Sequence, residues 1–242
     1  MATGKTNARW MRLIIDEFDL SGFSRTVGSF GSTFDEADVV AMSDGWHNVT
    51  LGHPTAVFDG YQAIFATDGT NDSHDALANV ESRIISLPIG IKAVPAVGDP
   101  VFMTQAEQIS YLPQGSDGVL VDVAMSKDTN NVGAGTVWGV LLAAGASLSS
   151  TTNGTSVDNG ASSADGAVAY LHITATSSGN WAIKVQDSPD DAVWSDLITF
   201  SADGSTITSE AGTVSGTVDR YLRFQATRTA GTTTFWVSCL RN

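Results

Sequence analysis

Strict alternation near the C-terminus constrains the fold more than any other feature of the chain. Ala169, Leu171 and Ile173 alternate with Tyr170, His172 and Thr174. Trp181, Ile183 and Val185 alternate with Ala182, Lys184 and Gln186, and Leu222, Phe224 and Ala226 with Tyr221, Arg223 and Gln225. A period of two sends successive side chains to opposite faces of an extended strand, a set that no helix can bury together. Val193, Trp194, Leu197 and Phe200 return the chain to the core after the turn Asp187-Ser188-Pro189-Asp190-Asp191, and Phe235, Val237 and Cys239 close the sheet. Regular strands separated by turn signals predict a sandwich or barrel. Cys239 is the sole cysteine, so it forms no internal disulfide and reads as a small core residue on the last strand.

Upstream, FDEADVVAMSDGWHNVTLGHPTAVFDGYQAIF (residues 34–65) reads as two extended segments around a long polar break. Ser43-Asp44-Gly45 and Gly52-His53-Pro54 interrupt it. Further on, Asp72 or Ser73 can cap a helix, with Leu77, Val80 and Ile84 at helical spacing on one face. Ile85 to Ile91 reads as a strand whose Pro88 suits an edge. Residues 146–165 are rich in Ser, Thr, Asn, Gly and Ala and read as a surface loop or interface arm. Residues 1–8 read as a flexible polar arm.

The stretch from Leu13 to Phe65 resembles the tube-forming, or major tail, proteins of bacteriophages with long non-contractile tails (siphophages). The resemblance rests on short words in order. They are Asp19-Leu20-Ser21-Gly22; then Glu36, Asp38, Val39, Asp44, Gly45 and Trp46; then Leu51-Gly52; then Asp59-Gly60 inside an apolar strand. Val40 stands where the family often has Thr. The run from Trp181 to Trp194, followed by Asp219 to Phe224, looks like segments of many phage tail proteins and also like lectin-type sandwiches.

Charge narrows the function. The chain has 242 residues, 12 Lys and Arg against 26 Asp and Glu, a net charge of −14 and a pI near 4.3. That balance argues against wrapping nucleic acid, which needs clustered cations to neutralise phosphates. An acidic wall instead lets DNA pass by repulsion, although acidity also serves plain solubility. No secretory signal is legible at the N-terminus, and no apolar stretch approaches the ~20 residues of a membrane span.

A search for chemistry finds little. His47 and His53 lie near Asp44 and Asp59 but without metal-ligand spacing. Asp187, Asp190 and Asp191 lack a calcium-loop pattern, so turn formation is the stronger reading. Asp68, Asn71, Asp72 and Asp75 read as capping and turn residues. Any acidic chain offers paired carboxylates of the kind glycoside hydrolysis uses, so a solvated or lumen-facing acidic surface is the stronger reading. There is no nucleophile elbow or phosphate loop, and Gly28-Ser29-Phe30-Gly31-Ser32 sits between strand-like segments. Trp181 falls in register with core residues, whereas Trp46 lies in a loop and suits a subunit contact.

The expected fold class is all-β with one short helix. A tail-tube-like β-barrel or sandwich domain covers residues 1–130, with its helix near 72–84. A second β-sandwich-like domain covers 131–242, either an external sandwich or a remote duplication of the first. As the resemblance implies, the chain is not an enzyme and needs no cofactor or metal. It partners copies of itself in stacked rings, as a hexamer or a pseudo-hexameric trimer. Other expected partners are the tape measure, terminator and baseplate or tip proteins, with viral DNA passing unbound. The chain would be made in the host cytoplasm and reside in the virion tail, away from membranes. Asp35, Glu36, Asp38 and Asp59 are candidate acids of the bore. Asp44, Gly45, Trp46, His47, Leu51 and Gly52 are candidate ring-stacking residues. The main rival is a decoration or glycan-binding sandwich, which predicts a discrete oligomer that binds sugar. A virion glycosidase would instead show turnover abolished by one carboxylate change.

Overall fold

The computed structural model describes residues 8–38, 49–67, 72–79, 81–116, 118–125 and 138–242. The chain is all-β with one short helix. Two strands of two residues, β1 (Ile14–Ile15) and β2 (Phe18–Asp19), form a tight hairpin, and β3 (Ser24–Thr26) follows a 3-10 turn at Leu20–Gly22. Next come β4 (Ser29–Asp38), β5 (Val49–Asp59), β6 (Tyr61–Ile64) and the helix α1 (Ser73–Leu77). Three antiparallel strands follow: β7 (Ser82–Pro88), β8 (Pro100–Ser116) and β9 (Gly118–Met125). The C-terminal part opens with β10 (Trp138–Leu148), β11 (Thr152–Asn153) and β12 (Val157–Asp158). It ends with β13 (Ala167–Ser188), β14 (Ser195–Thr199), β15 (Thr208–Val214) and β16 (Tyr221–Arg241).

The main path of the large sheet runs β14-β13-β16-β10-β8-β7-β1-β2. The strand β10 joins its two parts, since Val140 pairs with Pro100 of β8 on one side and Cys239 of β16 on the other. One core gathers Leu13, Leu20, Phe58, Tyr61, Phe102 and Val121. A second gathers Leu171, Trp181, Ile183, Leu222, Phe224 and Phe235. A third cluster, including Ile14, Met103, Leu141, Tyr170 and Trp236, lies between strands of the two parts. The alternating set of β13 therefore has both faces covered. Ala169, Leu171 and Ile173 face the C-terminal core, while Val168, Tyr170 and His172 are also buried, on the side of β1 and β7.

Three sequence expectations are corrected. The helix expected over 72–84 covers only Ser73–Leu77, and Ile84 lies on β7 opposite Gln105. Asp72 does cap it, accepting from the backbone N–H of His74 and Asp75. The β-branched pair Ile84 and Ile85 joins a ladder with β8 instead, where context outweighs a helical spacing. Pro88 is no edge marker: it ends β7, which lies between β8 and β1, and its carbonyl accepts from the Arg12 N–H. Residues 146–165 are not a free loop. Thr152 and Asn153 pair with Ala226 and Gln225, and Val157 and Asp158 with Leu222 and Tyr221. Gly154 lies so close over Phe224 that an added Cβ would sit 2.4 Å from its ring.

Candidate assembly surface

The strands β4 and β5 form a two-stranded ribbon that pairs with no other strand among the described residues. A ribbon of this kind presents open backbone donors and acceptors along both outer edges, a template for pairing with another chain. Its root is built from two glycines. An added Cβ on Gly28 would meet the Asp59 carbonyl oxygen at 2.4 Å, and Gly60 adopts a positive φ of 71°. Only glycine fits such an approach and such a dihedral without strain. Thr26, still paired with Gln62, and Gly28 thus mark where the chain leaves one sheet and enters the ribbon. Phe30 and Phe58, opposite each other in register, hold the root down. Their ring centroids lie 5.6 and 6.4 Å from that of the buried Phe102. Trp138 closes the cluster 6.0 Å from both Phe30 and Phe102.

Most of the residues singled out from the sequence fall on this ribbon. Glu36 pairs with Leu51 and Asp38 with Val49, so Asp35, Glu36, Asp38, Leu51 and Gly52 belong to one hairpin. The register shifts between Phe34 and Glu36, opposite the Gly52–Pro54 stretch. Asp59 sits at the root, exposed, with its carboxylate accepting from the Gly60 N–H at 2.7 Å. Asp44, Gly45, Trp46 and His47 lie outside the described residues.

A second open surface lies beside the root and escaped the sequence reading. Up to Glu107, β8 pairs with β7; from Gln108 to Ser116 its only strand partner among the described residues is β9, leaving one edge open. On the outer face of the β6-β9-β8 sheet, Asp122 accepts hydrogen bonds from the Gln62 amide at 2.6 Å and from the Gln114 amide. Exposed Ile64, Ile109 and Leu112 flank this polar ladder. Val121 and Val123 are buried, so the period of two turns Asp122 to the opposite face. Ile109 gave no such signal, because it sits at a register shift between Gln108 and Ser110 that breaks the period of two.

The buried polar groups form structural clamps. Asp16, in the β1–β2 turn, donates its N–H to the Ile84 carbonyl, and its carboxylate accepts from the Ile84 N–H at 2.8 Å and Arg83 Nη1 at 2.9 Å. Arg83 also donates to Gln108 Oε1 and to the Asn79 carbonyl. His172 Nδ1 lies 2.5 Å from the Asp16 carbonyl, and its Nε2 lies 2.8 Å from Ser86 Oγ. A carbonyl only accepts, so Nδ1 carries the proton and Nε2 accepts from Ser86. Burial pushes the His172 imidazole down to about 4, against the opposing effect of the Asp16 carbonyl. Burial raises the Asp16 carboxyl, with the Ile84 N–H and Arg83 opposing. Ser86 and His172 are 2 % and 0 % exposed, so no substrate reaches this serine–histidine pair.

The remaining candidates have local partners. Asp190 caps its turn by accepting from the Ala192 and Val193 N–H groups, which hold its carboxyl below the usual range. Asp187 accepts from the Asp219 N–H. His74 Nδ1 lies 2.7 Å from the Tyr111 hydroxyl. Trp181 is buried in the core, while Trp194 carries the Arg223 guanidinium 4.0 Å above its ring. Among the described residues no group of three or more His, Cys, Asp or Glu side chains gathers to hold a metal. No described helix is long and apolar enough to cross a membrane.

The fold and surface define an all-β chain in which, among the described residues, the β4–β5 ribbon is open along both edges and β8 along one beyond Glu107. No protein-family model matches the chain, and no curated protein does. Among solved structures it is similar to the SPP1 Dit protein, described as a paradigm of hub adsorption apparatus in Gram-positive infecting phages. That likeness has 10% identity and a TM-score of 0.31, covering 96% of this chain and 99% of the other. At that score it carries no weight for fold or function.

Proposed function

We propose that this chain is a structural protein of a phage tail, assembling with copies of itself into rings that stack as a tube for DNA. The observation that carries the reading is the β4–β5 ribbon. Its two open edges, and the open edge of β8 beyond Glu107, leave backbone groups for which the described chain supplies no strand. Heterologous pairing of such edges closes a ring when the rotation closes, and otherwise runs on as a filament. The reading agrees with the tail-tube words of the sequence, many of which fall on this ribbon. The role is mechanical, with no cofactor and no turnover. Tape measure, terminator and tip proteins would meet the tube at its ends or inside it.

In this reading the bore is acidic so that phosphates slide past it. Asp59 at the ribbon root is one candidate for that wall, and Asp122 on the neighbouring sheet face joins it; Asp35, Glu36 and Asp38, read from the sequence as bore acids, are assigned instead to contacts between copies. The ring holds six chains if each supplies one tube unit, or three if both parts of the chain do.

Negative-stain electron microscopy of the purified protein across concentration and salt tests the proposal. Rings with a central hole, or tubes, are the expected result, and end-view symmetry separates three chains from six. A chain that stays monomeric at every concentration, and also when co-expressed with the other tail proteins, overturns it.

A further inference from the structure

We propose that the acidic outer part of the β4–β5 ribbon docks into an arginine-lined cleft at the ribbon root of the next copy. This inference rests on the self-assembly reading above. The cleft has a volume of about 140 Å³ and is lined by Arg12, Ser21, Ser24, Arg25 and Phe30 among others. Arg25 is exposed and Arg12 partly so. Neither takes part in an ion pair among the described residues, and Arg12 makes only a long 3.4 Å contact to the Met11 carbonyl. The arginines of the C-terminal part differ. Arg220 holds Asp158, Arg223 donates to Gln186, Arg228 to the Gly231 carbonyl and Arg241 to the Ala161 carbonyl. In a chain of net charge −14, two arginines that line one cleft and meet no carboxylate among the described residues form a surface suited to an acidic partner.

The same chain supplies that partner. From residue 26 to residue 82 the sequence contains no Lys or Arg, and Asp35, Glu36 and Asp38 cluster on the outer half of β4. Their place on the strand is far from the cleft of their own chain. Glu36 lies seven residues beyond Ser29, roughly 23 Å out along an extended strand, whereas the cleft sits at the strand's base. A second copy can present them. Ribbon end onto neighbouring root is a heterologous contact that repeats identically from copy to copy, as a ring or tube requires. Charge pairing of this kind selects the partner surface and fixes its register.

The test is charge reversal read by sedimentation and electron microscopy, with circular dichroism as the control for folding. Arg12→Glu with Arg25→Glu should lower the assembled fraction roughly tenfold at low salt. Adding Glu36→Lys and Asp38→Lys to that chain should restore assembly. If wild type assembles and the arginine variant assembles equally well, the inference is overturned while the self-assembly reading stands. Loss without restoration in the four-site variant also overturns the pairing. Wild type that never assembles instead brings down the reading on which it rests.

Discussion

His172 and Asp16, 156 positions apart in the chain, meet at 2.5 Å through a ring nitrogen and a backbone carbonyl. Asp16 is held in place by its N–H and its carboxylate as well, and it adopts a positive φ of 51°. A non-glycine residue keeps such a dihedral only where its surroundings over-determine it. The contact binds the first hairpin to β13, while burial of the ring and the Nε2 that accepts from Ser86 keep the imidazole neutral.

Acid should therefore loosen the molecule in a defined window. The folded His172 titrates at about 4, against 6.5 for the free side chain. Its contribution is complete above pH 6.5 and is lost as pH falls toward 4, because the unfolded chain binds the proton first. The loss is on the order of 3 kcal/mol. Asp16 and Glu17, both raised by burial, act in the opposite sense, regaining stability as pH drops through their folded values. Urea midpoints at pH 7 and pH 5 should show the loss, and His172→Gln should flatten the difference between them. An unchanged slope in that variant refutes the account.

The ribbon root should be intolerant of bulk. Gly28→Ala forces a Cβ against the Asp59 carbonyl oxygen, and Phe102→Ala removes the ring on which Phe30 and Phe58 rest. The second change should cost about 3–5 kcal/mol in global stability. The first should lower assembly more than it lowers the thermal midpoint. Equal effects on both readouts would show that the root serves the core alone.

Cys239 should be inert in the folded chain. It is 1 % exposed, and burial pushes its thiol up to about 12, so thiolate is scarce at neutral pH. A maleimide should label it only after denaturant is added, and rapid labelling of the native protein would contradict its place in the sheet.

Asp59→Lys with Asp122→Lys should leave tubes intact and slow DNA ejection at least about threefold, since cations along a bore hold phosphates. Phage particles carrying the variant protein and triggered in vitro provide the measurement. Ejection at the wild-type rate would remove both residues from the wall.

Where one face of a strand is buried, the period of two is plain, and Trp181, Ile183 and Val185 lie in the core as the alternation predicts. On β13 the same rule gave only half the answer. Tyr170 and His172 read as outward residues, yet the N-terminal part covers that face too, and no local pattern records a partner so distant in sequence. The two-residue strands β11 and β12 are too short to show any period. The ribbon was legible because its two strands lie close together in sequence. Arg12 and Arg25 were not, because only the fold brings positions thirteen apart into one cleft.

The strand β10 carries a further consequence. Val140 is hydrogen-bonded to the sheet on both sides, to β8 and to β16, so neither part of the chain has a complete edge without it. Truncation after Met125 would strip β8 of a neighbour and uncover Ile14, Val101 and Met103. The two pieces should dissolve poorly when expressed apart. Produced together as separate polypeptides, they should find one another and reconstitute the intact molecule without a covalent link.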